Sequence, residues 1–200
     1  MLRKLWHKVV PPKQKPHKRV LPFNEHHIDA GQLSFAAEKV VTRLHQAGFE
    51  AYVVGGAVRD LLLGMEPKDF DVATNATPEE VRSVFRRSRI IGRRFQIVHV
   101  MVGPETIEVT TFRGGGKVQQ NEHGRIMKDN TYGSLEEDAQ RRDFTCNALY
   151  FDPVRLELID FHHGFEDVMA RRLVMIGNAA ERYQEDPVRI LRAVRLSGKL

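Results

Sequence analysis

The apolar residues of this chain recur at two spacings, which together predict a mixture of helices and strands. Between residues 33 and 44 they fall three and four positions apart, as on the buried face of a helix, and Gly48 marks its end. Further helices are predicted at 57–63, at 77–85, at 135–149 and from about residue 186 to the end. Short apolar runs predict strands at 51–54, 70–73, 90–91, 95–102, 107–112, 154–160 and 174–176.

The polar and proline-rich stretches divide the chain into parts. Four prolines among the first 22 residues predict a basic, unstructured leader over residues 1–27, with ordered structure starting near Ile28. A period-free stretch rich in Gly, Asn and Gln predicts a mobile loop over 114–134. We therefore expect an α+β domain over 28–177 and the start of a helical domain over 178–200. Because the last helix reaches the final residue, we expect these residues to be part of a longer protein.

Composition and charge narrow the possible functions. No run approaches the roughly 18 apolar residues that a membrane span needs, and Cys146 is the single cysteine, so a cytoplasmic protein without a membrane partner is predicted. The net charge of +5 lies in the leader, because residues 1–22 hold seven of the 31 basic residues and no acid. Such a segment is either an electrostatic contact for phosphates or a solvated extension.

Two aspartates at 69 and 71 are the sharpest candidate for chemistry. In a strand, Asp69 and Asp71 would project from one face while Phe70 enters the core. Two adjacent carboxylates repel each other unless a divalent cation binds between them, as in two-metal sites. Glu108, flanked by apolar residues, would supply a third acid from an adjacent strand. By itself the pair also fits a solvated strand end, a phosphatase or a glycosyltransferase.

Glycines upstream of the acidic pair indicate a phosphate contact. Gly55 and Gly56 follow a predicted strand and precede a helix, so their backbone N–H groups are accessible to an anion, and Arg59 could add a bidentate contact. The alternative is an ordinary tight turn. The later run of three glycines before Lys117 is not a phosphate loop, since Val118 stands where a magnesium-binding Ser or Thr is required.

Four motifs, in order, resemble the class II tRNA nucleotidyltransferase and bacterial poly(A) polymerase family. They are GGAVRD at 55–60, DFD at 69–71, RRDFTCNAL at 141–149 and EDPVRILRAVR at 185–195. The resemblance implies a polymerase-β-like nucleotidyltransferase head, a mixed sheet flanked by helices, followed by an all-α neck. It implies two Mg²⁺ ions on Asp69 and Asp71, with Glu108 as the third acid.

The same resemblance implies roles for the nucleotide-binding residues. Gly55, Gly56 and Arg59 would bind the triphosphate, and Arg142 and Asp143 the ribose and phosphates. Asp186 and Arg189 would pair with the edge of the incoming base, which requires that they share a helix face.

The segment at 90–100 favours polyadenylation over CCA addition. Its Gly-Arg-Arg-Phe run followed by His99 resembles the bacterial poly(A) polymerases, as does the basic leader. Arg93 and Arg94 would contact triphosphate or primer backbone, or else be solvated. We therefore predict a monomeric enzyme that adds AMP from ATP to RNA 3′ ends. The alternatives are a CCA-adding enzyme and an RNA-binding protein that has kept the fold without catalysis.

Overall fold

Within the residues described by the computed structural model, 17–92, 95–115, 119–120, 126–128 and 131–200, eight strands form one sheet. Its order is β1-β10-β9-β2-β3-β6-β5-β4, and each neighbouring pair is antiparallel except β3 and β6, which are parallel. Two further short strands, β7 and β8, pair only with each other. The strands are β1 Arg19–Pro22, β2 Ala51–Val54, β3 Asp71–Thr74, β4 Ser88–Ile91, β5 Ile97–Val102, β6 Glu105–Thr111, β7 Gln119–Gln120, β8 Ile126–Lys128, β9 Leu149–Asp152 and β10 Glu157–Asp160.

Helices pack against both faces of the sheet, and the last ones come after its final strand along the chain. They are α1 Phe23–His26, α2 Phe35–Gln46, α3 Gly56–Leu62, α4 Pro78–Val84, α5 Leu135–Arg141, α6 Gly164–Met169, α7 Ala179–Glu185 and α8 Val188–Ser197. None of the helices described is long and apolar enough to cross a membrane. The predicted mixed sheet flanked by helices is confirmed.

Alternation along the strands creates two cores, one on each face. Val53 and Val72 enter the larger cluster, which α2, α3 and α4 cover. Their neighbours Val54 and Ala73 enter a second cluster under α5, together with Tyr150. Because α5 covers only part of that second face, the residues that the structure describes leave its β3–β6–β5–β4 side open, and the polar side chains of these strands stand there.

Several sequence predictions match because their signals are local. β2 has the predicted bounds, and α4 has a capping box in which Thr77 and Glu80 satisfy each other's backbone N–H groups. Ser34 caps α2 in the predicted region.

The prediction that ordered structure begins near Ile28 is wrong. β1 pairs in register with β10, so that Leu21 enters the core while Val20 faces outward. Pro22 is tolerated because β1 is an edge strand, where one missing donor costs no ladder bond. Of the leader, residues 1–16 lie outside the described part of the chain.

The predicted helix at 135–149 is also wrong beyond Arg141. Arg142 is extended, residues Thr145–Asn147 form one 3₁₀ turn, and β9 follows. Residue 154 lies in the turn between β9 and β10, and Met175 makes only an isolated bridge to Phe144. The loop predicted at 114–134 contains β7 and β8, and the final helix ends at Ser197.

Candidate active site

Two of the predicted acids lie side by side on adjacent strands. Asp71 opens β3, and its register partner on the parallel strand β6 is Glu108, as the sequence predicted. Asp69 precedes the strand instead of lying within it, since β3 begins at Asp71. Phe70 between them is buried and holds this segment against the core, and all three acids are exposed.

A row of polar side chains continues from these acids across the open face. Arg89 on β4, His99 on β5, Glu108 and Asp71 are successive register partners. Residues in register on neighbouring strands share a face. His99 Nε2 lies 3.4 Å from Glu108 Oε1, so the imidazole contacts the acid that would complete the site.

The electrostatics of Asp71 favour a cation. Its pKa is raised to about 6, chiefly by burial and then by the charges of Glu108 and Asp69, against an opposing effect of Arg142. The residue remains open to solvent, yet surrounding protein atoms desolvate its carboxylate. Clustered carboxylate oxygens are the donors that Mg²⁺ prefers. Among the residues the structure describes, however, no three carboxylate, imidazole or thiol groups already converge on one point.

Gly55 keeps space open beside these acids. Its φ of 78° lies in the left-handed region, and a Cβ there would stand 3.8 Å from Asp71 Oδ2 and 4.0 Å from Arg142 Nη1. Any side chain would therefore enter the gap between the carboxylate and the guanidinium. Gly56 begins α3 directly after this turn, as predicted.

Arg59 does not point into that gap. It is only 3% exposed, and its Nε and Nη2 donate to Asp60 Oδ1 at 2.9 and 2.6 Å. Its Nη1 donates to Asn147 Oδ1 at 2.7 Å. In this conformation the Arg59 guanidinium is occupied by protein groups, and its direct phosphate contact stays a prediction. The side chain instead ties the glycine turn to the segment after α5.

Arg142 lies at the edge of the gap and is half-buried. Its Nε and Nη2 donate to Asp138 Oδ2 at 3.1 and 3.0 Å, and its Nε also donates to the Tyr150 hydroxyl at 2.9 Å. The Tyr150 hydroxyl in turn donates to Asp138 Oδ2 at 2.7 Å. Burial lowers the pKa of Arg142, but Tyr150 and Asp138 outweigh it, so the pKa is raised overall and the side chain stays charged.

Asp143 is buried and fully engaged by protein groups. Its Oδ1 accepts from the Phe144 N–H at 2.8 Å and from Asn147 Nδ2 at 3.4 Å. Its Oδ2 accepts from Arg192 Nε at 2.6 Å. In this conformation Asp143 links the head to α8, and its contact with ribose stays a prediction.

Arg189 lies in the first turn of α8, but Asp186 precedes the helix in an extended conformation, so the two do not share a helix face as expected. Asp186 Oδ1 accepts from the Val188 N–H at 3.1 Å, at the first residue of the helix. The Arg189 guanidinium donates to Glu185 Oε2 at 3.1 Å. Arg182 connects this region to the head, because its Nη2 donates to the carbonyl oxygens of Arg141 and Arg142 at 2.9 and 2.7 Å.

Two predicted residues cannot be placed, and four residues at the site were not predicted from the sequence. Arg93 and Arg94 lie outside the described residues. Asp138, Asn147, Tyr150 and Arg192 support the predicted residues, and sequence reasoning did not single them out. Asn147 and Arg192 fall inside the motifs quoted above, so their positions were already marked in the sequence. Asp138 stands four residues before Arg142, a spacing that predicts an ion pair on a helix.

Comparisons with known proteins agree with this arrangement. Residues 51–174 match the family model described as the poly(A) polymerase head domain. The chain is 50% identical over 194 residues to a protein named poly(A) polymerase I from Salmonella typhi, covering 93% of this chain and 42% of that protein. It is 43% identical over 164 residues to a CCA-adding enzyme from Oceanobacillus iheyensis, covering 82% of this chain and 40% of that protein.

A solved structure extends the likeness to three dimensions. The CCA-adding enzyme of Bacillus stearothermophilus, in complex with CTP, superposes with a TM-score of 0.69 at 40% identity. The match covers 80% of this chain and 37% of that one. The chain therefore spans about two-fifths of the length of the relatives that it matches.

Proposed function

This chain belongs to the poly(A) polymerase head-domain family, and we propose that it carries the catalytic centre of an enzyme that adds AMP from ATP to RNA 3′ ends without a template. The activity of a whole protein is inferred here from a part, so substrate and product belong to this proposal. A cytoplasmic location and a monomeric state stay predictions from the sequence.

The register of Asp71 with Glu108 is the observation that carries the proposal. A parallel pair of strands places these carboxylates beside each other on an open face, and Asp69 stands two residues away. The pKa of Asp71 is raised first by burial and then by the negative charges of Glu108 and Asp69, which a bound cation would offset. Asp69 and Asp71, assisted by Glu108, would hold two Mg²⁺ ions, which lower the pKa of an attacking hydroxyl and neutralise a departing phosphate.

The reaction would be an in-line displacement at the α-phosphate of ATP. The oxygen of the RNA 3′-hydroxyl forms a bond to the α-phosphorus and releases its proton to solvent water, and the bond from that phosphorus to the β-phosphate oxygen breaks, releasing pyrophosphate. Arg142 stands 4.0 Å from the open position beside Gly55, where a positive charge would stabilise the triphosphate. Arg59 and Asp143 would act on the nucleotide by holding the glycine turn, Asn147 and Arg192 in place.

Asp186 and Arg189 are proposed to read the base of the incoming nucleotide. A carboxylate accepts from an exocyclic amine, and a guanidinium donates to ring nitrogens. In the present conformation, Asp186 accepts from the Val188 N–H, and Arg189 pairs with Glu185 and donates to the Arg182 carbonyl oxygen, so reading a base requires that Arg189 exchange both partners. The pair with the exposed Glu185 is weak, but the Arg189 side chain is only 15% exposed, so the base must also replace the carbonyl oxygen as an acceptor.

Higher identity to the poly(A) polymerase than to the CCA-adding relative supports ATP as the substrate. The figures are 50% over 194 residues against 43% over 164. The choice is tested by extending a tRNA that lacks its CCA end and an unstructured oligonucleotide, with each nucleotide supplied separately. We expect long A tracts on the oligonucleotide, and CCA confined to the tRNA would contradict the proposal.

The role of the acids is tested by Asp71→Asn. We expect at least about a 10³-fold loss of primer extension, because the oxygen donor is lost while the shape is kept. Lys68→Gln is a matched exposed control from the same segment and should extend the primer at close to the normal rate. An Asp71→Asn protein that folds normally and still extends RNA would remove the basis of the proposal.

A further inference from the structure

A basic groove lies on the side of the sheet that α2 and α4 cover, away from the carboxylates. Its volume is about 420 Å³, and its charged lining is Lys39 and Arg43 of α2 with Arg86 and Arg87 from the segment between α4 and β4. Met101 and Val102, at the end of β5, form its far wall. Nothing in the proposed nucleotidyl transfer uses this surface.

The charge of the basic groove is not balanced by the protein. All four cationic side chains are exposed, and the lining contains no Asp or Glu. Within the described part of the chain, none of the four pairs with a carboxylate; Arg43 donates only to the Val84 carbonyl oxygen, at 3.1 Å. Four like charges around one groove repel each other, and a polyanion lying in it would relieve that repulsion.

An exposed aromatic residue extends the groove along α2. Phe35 is 72% exposed, and Lys39 Nζ lies 5.2 Å from the centre of its ring. A shallow depression running from Phe35 to Gln46 shares Lys39 and Arg43 with the groove and also contains Glu38. An exposed ring beside a line of cations is the combination that single-stranded RNA uses, since bases stack on the ring and phosphates contact the cations.

The groove lies on the opposite face of the sheet from the carboxylates, but the strand β5 connects the two over a short distance. Met101 in its wall is two residues from His99, which contacts Glu108, and two residues of a strand span about 7 Å. An RNA whose 3′ end lies at Asp71 and Glu108 can therefore pass over the end of β5 and enter the groove.

We propose that the basic groove together with Phe35 binds the single-stranded RNA that precedes the reacting 3′ end. This inference rests on the proposed function for the identity of the polymer. An acidic protein segment would also satisfy the charge and the arginine side chains, because a guanidinium binds carboxylates as well as phosphates, but it would leave Phe35 without the base that stacks on an exposed ring. RNA is therefore the occupant that the surface favours.

Charge reversal at the groove tests the proposal. The variant R86E/R87E is compared with R82E/R171E, which makes the same change of charge at two exposed positions outside the groove. Each is titrated with a long unstructured RNA and with an oligonucleotide too short to reach the groove. We expect R86E/R87E to weaken long-RNA binding about tenfold or more and to reduce its salt slope by about 1.4, at roughly 0.7 per lost phosphate contact.

The controls separate charge from folding and from catalysis. R86K/R87K should bind long RNA almost normally, and all variants should unfold at the temperature of the unmodified protein. Phe35→Ala should weaken long-RNA binding about fivefold or more through lost stacking, with the short oligonucleotide unaffected. Equal long-RNA binding by R86E/R87E and R82E/R171E would overturn the proposal. So would tighter binding of polyglutamate than of RNA, abolished by R86E/R87E, which would indicate an acidic protein partner.

The outcome is distinguishable from failure of the proposed function. If the groove variants bind RNA normally while Asp71→Asn abolishes extension, the groove inference fails and the catalytic proposal stands. If the unmodified protein extends no RNA but R86E/R87E still loses long-RNA binding, the catalytic proposal fails and the RNA surface stands.

Discussion

Asp69, Asp71 and Glu108 stand exposed on the open face of the sheet, whereas Arg59 and Asp143 lie buried behind them with several hydrogen-bond partners each. Among the described contacts, His99 contacts Glu108, and Arg142 exerts an opposing charge on Asp71. Arg59 and Asp143 are already satisfied by protein groups. The negative charge of the acids is therefore fully balanced only when a ligand binds, whereas the residues behind them hold their positions before any ligand binds.

Because of this difference, we expect mutations of the buried residues to lower stability and mutations of the exposed acids to lower activity. Removing a group from the buried network should weaken the fold, because a partner is left buried and unsatisfied. Removing an exposed acid should abolish chemistry and leave the fold intact or more stable. The following changes test that contrast, from the largest expected effect on stability to the smallest.

Arg59→Met should be the most destabilising, at about 3 kcal/mol, the lower end of the range for breaking a buried ion pair. It leaves Asp60 with only the half-exposed Lys199 as a partner and leaves Asn147 Oδ1 without its donor. Urea unfolding measures the change. The matched control is Arg82→Met, at an exposed position, where we expect a change within about 0.5 kcal/mol. A loss of less than 1 kcal/mol for Arg59→Met would contradict a structural role for this network.

Asp138→Asn should cost about 2 kcal/mol and raise the KM for ATP, because Arg142 loses its charged partner. Burial raises the pKa of Asp138, but Arg142 and the Tyr150 hydroxyl outweigh it, so the pKa lies below its usual value of 3.8. The carboxylate therefore stabilises the fold above that value and loses this contribution as the pH falls through the lowered pKa. Denaturation at several pH values should show the two proteins converging in acid.

Tyr150→Phe should cost about 1 kcal/mol, the net contribution of a hydrogen-bonded hydroxyl. The ring stays, so packing in the second cluster is kept, and only the bonds to Asp138 and Arg142 are lost. Tyr52→Phe is the control, since Tyr52 lies in the same cluster and its hydroxyl makes only a 3.4 Å bond to Glu50. Equal thermal shifts for the two variants would indicate that the Tyr150 hydroxyl does not support Arg142.

Asp71→Asn should stabilise the protein slightly in buffer containing a chelator. The pKa of Asp71 is raised from 3.8 to about 6, so the folded state binds the proton more tightly and loses stability as the pH rises between these values. The variant lacks this loss, and its advantage should grow from pH 4 to 6 and then stay constant. We expect less than about 1 kcal/mol because the residue is exposed. Millimolar Mg²⁺ should reverse the order by stabilising only the unmodified protein.

What the sequence could predict depended on how local the signal is. β2 and the Thr77 capping box follow from short patterns, because each is decided by a few neighbouring residues. The adjacency of Asp71 and Glu108 is a long-range pairing, which the apolar neighbours of Glu108 and the family resemblance indicated. β9 was missed because its residues are buried on both faces, and a short continuous apolar run reads equally as helix or strand.

The contacts that hold the site together are decided by distant parts of the chain. β1 was missed because its pairing with β10 comes from the far end of the sequence, while its prolines suggested disorder. The partners of Arg59 and Asp143 were missed for the same reason, since Asn147 and Arg192 reach them only after folding. The motifs therefore identified which charged residues lie at or near the site, but they could not predict whether each would face a ligand or another side chain.

The polar row across the open face has a consequence for how the site can fail. If β6 slipped by one residue against β3, Glu108 would exchange faces with Ile107 or Val109. The slip would bury a carboxylate among Val98 and Val100 and expose a core side chain, both of which cost free energy. The hydrophobic core under the sheet therefore fixes the strand register that aligns the acids, because a molecule with a shifted register cannot pack its core.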